Sequence, residues 1–176
     1  MKRILLLIIF ISMGALYAQE KSTTHETNES VVFKLESVNK GVVEVKEITD
    51  GLRFDTAEDK VMALVFIAYN GKPCLRLIEI LNEMKKEHSD FNAFAVEMRE
   101  LEGKKLQDYA KEHKIDFPIM GAKKAEKFVH YIREKAGWGG SMPFILLLNK
   151  KGEVKYLHIG LIPKKGFEKA YEQLKK

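Results

Sequence analysis

The chain has 176 residues, of which 45% are hydrophobic and 31% are charged, values typical of one soluble domain with a sizeable core. The formal net charge is +5, and the basic residues are spread along the sequence without a dense Lys/Arg block, which argues against binding of nucleic acid. The chain has one cysteine, Cys74, and this excludes an internal disulfide.

The first eighteen residues have the pattern of a secretory signal peptide. Lys2 and Arg3 form a basic start, an unbroken apolar run follows over residues 4–11, and small residues precede a cleavage point after Ala18. The alternative is an uncleaved N-terminal anchor, although the apolar run is shorter than the ~20 residues that a spanning helix needs. The sequence therefore predicts an exported protein, which contacts the membrane only through this segment if the segment is retained.

Residues 19–30 are polar and predict a flexible leader, so the folded domain is predicted over residues 31–176. A β-hairpin is predicted within residues 31–48, because Asn39 and Gly41 supply turn chemistry between two stretches of alternating apolar residues, Phe33 with Leu35 and Val43 with Val45.

The continuous apolar run Val61–Ala68 predicts a strand buried on both faces. A helix is predicted after a polar break, with Pro73 in its first turn and an apolar face at Leu77, Leu81 and Met84. Cys74 lies in that first turn, near the positive end of the helix dipole, a position that lowers a thiol pKa. The alternative is a buried, inert cysteine on the apolar face of the helix, since free cysteines are among the most buried residues.

The rest of the chain alternates between helical and extended patterns. Strands are predicted at Phe91–Met98, Phe144–Leu148 and Val154–Ile159, and helices at residues 101–113, residues 121–136 and along the apolar face that ends at Leu174. Buried strands that alternate with helices predict one α/β domain of three layers.

Four segments, in this order, resemble landmarks of the exported TlpA/ResA-like thiol:disulfide oxidoreductases, over residues 31–174. They are the buried strand that leads into Gly71-Lys72-Pro73-Cys74, the stretch Ile115–Ile119, the stretch Ser141–Phe144, and the turn region Leu148–Val154. The resemblance implies a thioredoxin-like three-layer sandwich, with a mixed central sheet flanked by helices and an N-terminal β-hairpin extension. It also implies a periplasmic location in a Gram-negative bacterium.

The chain departs from this family at the Cys-x-Pro-Cys motif. Gly71 stands at the position of the family's nucleophilic cysteine, and Cys74 at the position of the resolving cysteine. Tyr69-Asn70 replaces a tryptophan, and Leu77 replaces a glutamate that tunes the family's thiols. Because a dithiol cycle needs two sulfurs within bonding distance, the resemblance implies a degenerate oxidoreductase with at most monothiol chemistry.

Two hypotheses for the function follow from the resemblance, with a minor third. In the first, Cys74 forms mixed disulfides with a protein thiol, and Lys72 favours its thiolate. In the second, the protein is redox-silent and binds an extended peptide at a surface that contains Gly71, Lys72, Pro73, Met142 and Pro143. In the family, the proline of this loop is cis, and the residue before it offers its backbone to the substrate. The third is a one-cysteine peroxidase, which Gly71 disfavours because that chemistry wants a Thr or Ser at its position.

Trp138, the histidines and two glutamates are further candidates for a site. Trp138 is a candidate for an aromatic residue at the rim of the partner surface, or for a cover over the end of the sheet. The histidines have no spacing typical of zinc ligands, Glu97 and Glu100 lack a pattern typical of acid–base catalysis, and no phosphate-binding loop is present. The sequence therefore predicts neither a metal site nor a cofactor.

Overall fold

The computed structural model describes residues 30–176. The predicted signal peptide and residues 19–29 of the predicted leader lie outside the described residues. Within residues 30–176, no helix has the length and apolar character needed to cross a membrane.

Eight strands and four α-helices make up the described chain. The strands are β1 (Val32–Ser37), β2 (Gly41–Ile48), β3 (Gly51–Phe54), β4 (Val61–Ile67), β5 (Phe91–Glu97), β6 (Ile119–Gly121), β7 (Phe144–Leu148) and β8 (Val154–Ile159). The helices are α1 (Lys72–Glu87), α2 (Gly103–Glu112), α3 (Glu126–Ala136) and α4 (Lys164–Leu174), and a 3₁₀ turn at Asp55–Ala57 precedes β4.

The central sheet has five strands in the order β6-β5-β4-β7-β8. Strand β4 pairs in parallel with β5 and antiparallel with β7, so the sheet is mixed. Every residue of β4 is buried, and successive side chains alternate between two cores: Ala63 and Val65 point into one, Leu64 and Phe66 into the other. This arrangement confirms the predicted strand with two buried faces.

Each face of the central sheet is covered by its own layer. The core on one face holds the apolar sides of α1, α2 and α4, including Leu77, Leu106 and Phe167. The core on the other face holds α3 and the inner side of the N-terminal sheet, including Phe128 and Val45. The predicted three-layer α/β sandwich is confirmed, because apolar stripes of helices and sheet meet the central sheet from both sides.

The N-terminal extension is a hairpin enlarged by a third strand. The pairs Phe33 with Val45 and Leu35 with Val43 confirm the predicted alternation. Strand β3, which the sequence analysis did not predict, adds to β2 and forms a three-stranded antiparallel sheet. It approaches the turn before β8 so closely that a β-carbon on Gly51 would lie 2.1 Å from the carbonyl oxygen of Gly152. Only glycine permits this contact.

The predicted helix over residues 121–136 is shorter, because Ile119–Gly121 forms the short strand β6 on the edge of β5. Asn39, in the hairpin turn, fixes this strand. Its side chain accepts a hydrogen bond from the Ile119 amide at 3.2 Å and donates one to the Phe117 carbonyl at 3.0 Å. Helix α3 therefore starts only at Glu126, after the chain has left the sheet.

Candidate functional site

Cys74 lies in the first turn of α1, directly after the central strand β4. Gly71 precedes the helix in an extended conformation and has no side chain to cap it, and Pro73 occupies a first-turn position, as predicted. The Cys74 side chain is only 2% exposed, and its Sγ accepts a hydrogen bond from the Ala68 N–H at 3.3 Å. Of the two alternatives left open by the sequence, the structure thus favours the buried cysteine.

Burial raises the pKa of the Cys74 thiol above its usual value, and the negative charge of Glu97 raises it further. The hydrogen bond from Ala68 acts in the opposite direction without cancelling this effect. The expectation of a lowered thiol pKa at the helix N-terminus is therefore wrong. The cost of removing a thiolate from water outweighs the stabilisation that the Ala68 N–H gives it at this position.

Glu97 is a buried carboxylate, a structural role that its sequence context does not predict. It ends β5 and is fully buried, and its two oxygens accept hydrogen bonds from the backbone N–H groups of Tyr69 at 3.2 Å, Arg99 at 2.8 Å and Leu101 at 2.9 Å. These bonds hold together the chain after β4 and the chain after β5. The available signal was the one acidic residue in the mostly apolar stretch Phe91–Met98.

Gly71 lies beside the sulfur. A β-carbon placed on Gly71 would be 3.3 Å from the Sγ of Cys74 and 3.4 Å from the Ala68 carbonyl oxygen. The site therefore contains one thiol, next to a backbone position without a side chain.

A cavity of about 480 Å³ opens above Cys74, and we call it the Cys74 cleft. Its lining includes Gly71, Pro73 and Cys74 from the start of α1, Arg99 from the chain after β5, and Ser141 and Met142 from the loop before β7. The structure thus brings together Cys74 and three of the residues predicted for the partner surface, Gly71, Pro73 and Met142. Lys72 is exposed in the same turn but does not line this cavity.

Met142 lines the Cys74 cleft, and Pro143 follows it in the loop before β7. The peptide bond between them is cis. The Pro143 ring is buried, and its carbonyl accepts a hydrogen bond from the Gly160 N–H at 2.7 Å, so the loop is tied to the end of β8. Met142 is half-buried, and its own N–H and C=O form no hydrogen bond with another residue of the described chain.

Trp138 belongs to the core and is not an aromatic residue at the rim of the cleft. Its side chain is 4% exposed and stacks on Phe144, with ring centroids 4.7 Å apart and planes within 5°. It also packs against Phe66, and its indole N–H donates a hydrogen bond to the Ser141 carbonyl at 2.9 Å. The prediction that Trp138 presents its ring to a partner is wrong, because the indole packs against Phe66 and Phe144 at the apolar end of the sheet.

Within residues 30–176, no three His, Cys, Asp or Glu side chains come together as a metal site would require.

Comparison with solved structures identifies the fold. A thiol:disulfide interchange protein of the thioredoxin family from Chlorobium tepidum matches with a TM-score of 0.60 and 16% identity, over 82% of this chain and 94% of that one. The protein has the thioredoxin fold. StoA from Bacillus subtilis matches with a TM-score of 0.56 and 17% identity, over 79% of this chain and 95% of StoA.

The exposed lipoprotein thioredoxin of Streptococcus pneumoniae has the same thioredoxin fold, with a TM-score of 0.57, 18% identity, and coverage of 82% of this chain and all of that chain. No family model and no curated protein matches the chain. Within this thioredoxin fold, the Cys74 cleft lies at the carboxyl ends of the parallel strands β4 and β5, where open α/β sheets place their ligands.

Proposed function

We propose that this protein is a degenerate relative of the exported TlpA/ResA-like thiol:disulfide oxidoreductases. In this proposal, it binds an extended segment of a partner protein at the Cys74 cleft and does not exchange disulfides by a two-thiol cycle. The observation that carries the proposal is the state of the sulfur: Cys74 is the only cysteine of the chain, it is buried, and its neighbour Gly71 has no side chain.

The chemistry of disulfide reduction explains why one sulfur is not enough. A thiolate attacks the partner's disulfide and forms a mixed disulfide, with release of one partner thiolate. A second thiolate of the enzyme then attacks the mixed disulfide and releases the other partner thiol. The partner's disulfide is thereby reduced, and the two enzyme thiols are oxidised to an internal disulfide. With Gly71 beside Cys74, this chain has no second sulfur for that step.

The loop before β7 supports the binding part of the proposal. The free N–H and C=O of Met142 are available to pair with an extended chain, which would add to the protein as a short extra strand. The Cys74 cleft beside it is wide enough for a side chain of that segment. The anchoring of Pro143 to Gly160 gives this pairing a fixed position.

Monothiol chemistry is the second candidate, and one observation favours it: Cys74 lines the cleft, so a partner disulfide bound there would lie near the sulfur, whose thiolate would form a mixed disulfide and release one partner thiolate. The raised pKa of the thiol acts against it, because the thiolate is the attacking species. The same raised pKa, together with the missing hydroxyl at Gly71, argues against the peroxidase alternative.

We also infer that the protein works outside the cytoplasm, in the periplasm of a Gram-negative bacterium. The support is the predicted signal peptide, together with the likeness of the fold to that of a protein described as an exposed lipoprotein thioredoxin.

The state of the sulfur is tested by the rate at which a chromogenic aromatic disulfide reagent labels Cys74 as a function of pH. We expect slow labelling of the native protein near neutral pH and fast labelling after denaturation. Fast native labelling that follows a titration below the ordinary thiol pKa would instead establish the monothiol function.

Binding is tested by fluorescence anisotropy with fluorescein-labelled insulin B chain whose cysteines are blocked with iodoacetamide, an unfolded polypeptide without free thiols. Ser141→Trp places a bulky ring in the cleft and is expected to weaken binding about tenfold. Lys169→Trp, an equally exposed position on α4, is the matched control and should leave binding unchanged. Equal binding by both variants, or no binding by the wild type, would overturn the proposed site.

A further inference from the structure

We propose that the partner segment is acidic, and that it runs from the Cys74 cleft along a second, cationic cavity against α3. This inference rests on the proposed function and specifies the chemistry of the partner that the same site accepts.

The second cavity, which we call the α3 cavity, has a volume of about 710 Å³ and adjoins the Cys74 cleft. The consecutive residues Met98 and Arg99 line the α3 cavity and the Cys74 cleft, respectively. On the other side, Arg133 lines the α3 cavity, and its guanidinium lies 3.0 Å from where a β-carbon of Gly140, a residue of the Cys74 cleft, would stand. One extended segment can therefore occupy both the Cys74 cleft and the α3 cavity.

The charges along this path are mainly positive. Lys123, Lys127 and Arg133 line the α3 cavity, and Arg99 lines the cleft. None of these four cations forms a salt bridge within residues 30–176. The described salt bridges involve other residues, and they include Lys164 on α4, which has three carboxylate neighbours.

The carboxylates near the path are fewer than the cations that line it, and Glu97 behind the cleft is buried and held by three backbone N–H groups. Glu126 is the one acidic residue that lines the α3 cavity in the described chain. Glu102 accepts a hydrogen bond from the Lys123 backbone N–H at 3.1 Å, and Glu134 faces His130 at 3.2 Å. An acidic ligand would supply the missing counter-charges, and such complementarity steers a partner to its site and fixes its register.

The floor of the α3 cavity favours a peptide over a nucleic acid. Met98, Ala122 and Val129 give this floor an apolar character that suits an aliphatic side chain between two carboxylates. Arg133 lies over the buried Trp138 ring at 5.4 Å, so the aromatic surface on which a base would stack is already covered. The occupant that fits is an extended segment in which acidic and aliphatic residues alternate.

The test uses the full chain without its signal peptide and two fluorescein-labelled peptides of equal length. One alternates Glu with Val and Thr, and the other has Gln in place of every Glu. We expect the Glu peptide to bind about tenfold more tightly by fluorescence anisotropy in low salt, and to lose most of this advantage at ~0.3 M salt.

Lys123→Gln/Lys127→Gln is expected to weaken binding of the Glu peptide about fivefold and to leave the Gln peptide unaffected. The matched control is Lys165→Gln/Lys169→Gln, which removes the same charge from exposed positions of α4, on the opposite face of the sheet.

Equal affinity for both peptides, or equal effects of the two double variants, would overturn the acidic specificity while leaving the peptide-binding site in place. If neither peptide binds, both the acidic specificity and the proposed peptide-binding function are overturned. Displacement of the Glu peptide by a short single-stranded DNA would identify a nucleic-acid surface and also overturn the inference.

Discussion

A β-carbon placed on Gly71 lies 3.3 Å from the sulfur of Cys74. In a disulfide, the β-carbon of one cysteine lies roughly 3 Å from the sulfur of the other, as the S–S bond length of ~2.05 Å requires. The backbone at the start of α1 therefore holds the two positions at nearly the spacing of a bonded pair. What separates this site from a dithiol site is one side chain.

Gly71→Cys is expected to form an internal disulfide with Cys74 under mild oxidation and to gain measurable insulin reductase activity. The close spacing of the two positions allows the bond without movement of α1. The oxidised variant should lose two hydrogens by mass spectrometry and become inert to alkylation, and its activity is read from the turbidity of reduced insulin.

Gly71→Ser is the matched control, since it adds an oxygen where the other variant adds a sulfur. It should fold and show no reductase activity. A Gly71→Cys protein that keeps two free thiols under oxidation would mean that Gly71 does not occupy the position of a nucleophilic cysteine. Insulin reduction by the wild-type protein at the rate of a two-thiol enzyme would refute the degenerate site as a whole.

Glu97→Gln is expected to lower the free energy of unfolding by about 1–3 kcal/mol. The glutamine amide turns one acceptor oxygen into a donor, so a partly buried backbone N–H at Tyr69, Arg99 or Leu101 loses its partner. Urea denaturation followed by circular dichroism measures the change. Glu100→Gln, at an exposed neighbouring position, should have little effect.

The same Glu97→Gln change should lower the pKa of the Cys74 thiol. The carboxylate's negative charge disfavours a thiolate nearby, so its removal makes the thiolate easier to form. The pH at which native labelling accelerates should therefore fall in Glu97→Gln and stay in place in Glu100→Gln, once the rates are corrected for global unfolding. An unchanged labelling profile would contradict the electrostatic coupling of these two buried groups.

Trp138→Ala is expected to cost about 3–5 kcal/mol of stability, because it removes a large side chain from a closed aromatic cluster. Trp138→Phe keeps most of the packing on Phe66 and Phe144 and loses the hydrogen bond to Ser141, so it should cost about 1 kcal/mol. Chemical denaturation gives both values. If Trp138→Phe abolished peptide binding at full stability, the ring would have a direct role at the surface.

Asp90 should make the fold more stable above the ordinary carboxyl pKa than below it. Hydrogen bonds from Lys150 and Tyr171 lower the pKa of Asp90 in the folded protein. The stabilisation is therefore present above the pKa of the unfolded chain, about 3.9, and is lost as the pH falls through the lower folded value. Since the side chain is partly exposed, we expect an effect of at most about 1 kcal/mol.

The measurement is the urea midpoint between neutral and acidic pH in the wild type and in Asp90→Asn. The midpoint should fall less steeply with pH in the variant than in the wild type. Asp50→Asn, an exposed position whose carboxylate forms no hydrogen bond in the described chain, is the control and should follow the wild type.

Patterns that repeat over a few residues were sufficient to predict most of the fold. The apolar run of β4 and the alternation at Phe33 and Leu35 report burial directly, because a strand turns every second side chain to the same face. Strands β3 and β6 were not predicted, because four and three residues are too few to show an alternation of apolar and polar side chains. They exist because distant partners, β2 and β5, hold them in place.

The sequence by itself also determined the composition of the site: one sulfur, a glycine three residues before it, and a proline loop far along the chain. It did not determine the state of that sulfur. The tertiary structure decided that Cys74 is buried beside Glu97, and that Trp138 joins Phe66 and Phe144 instead of the cleft. Desolvation and charge–charge interactions depend on which groups are neighbours in space, and no pattern local to Cys74 or Trp138 contains that information.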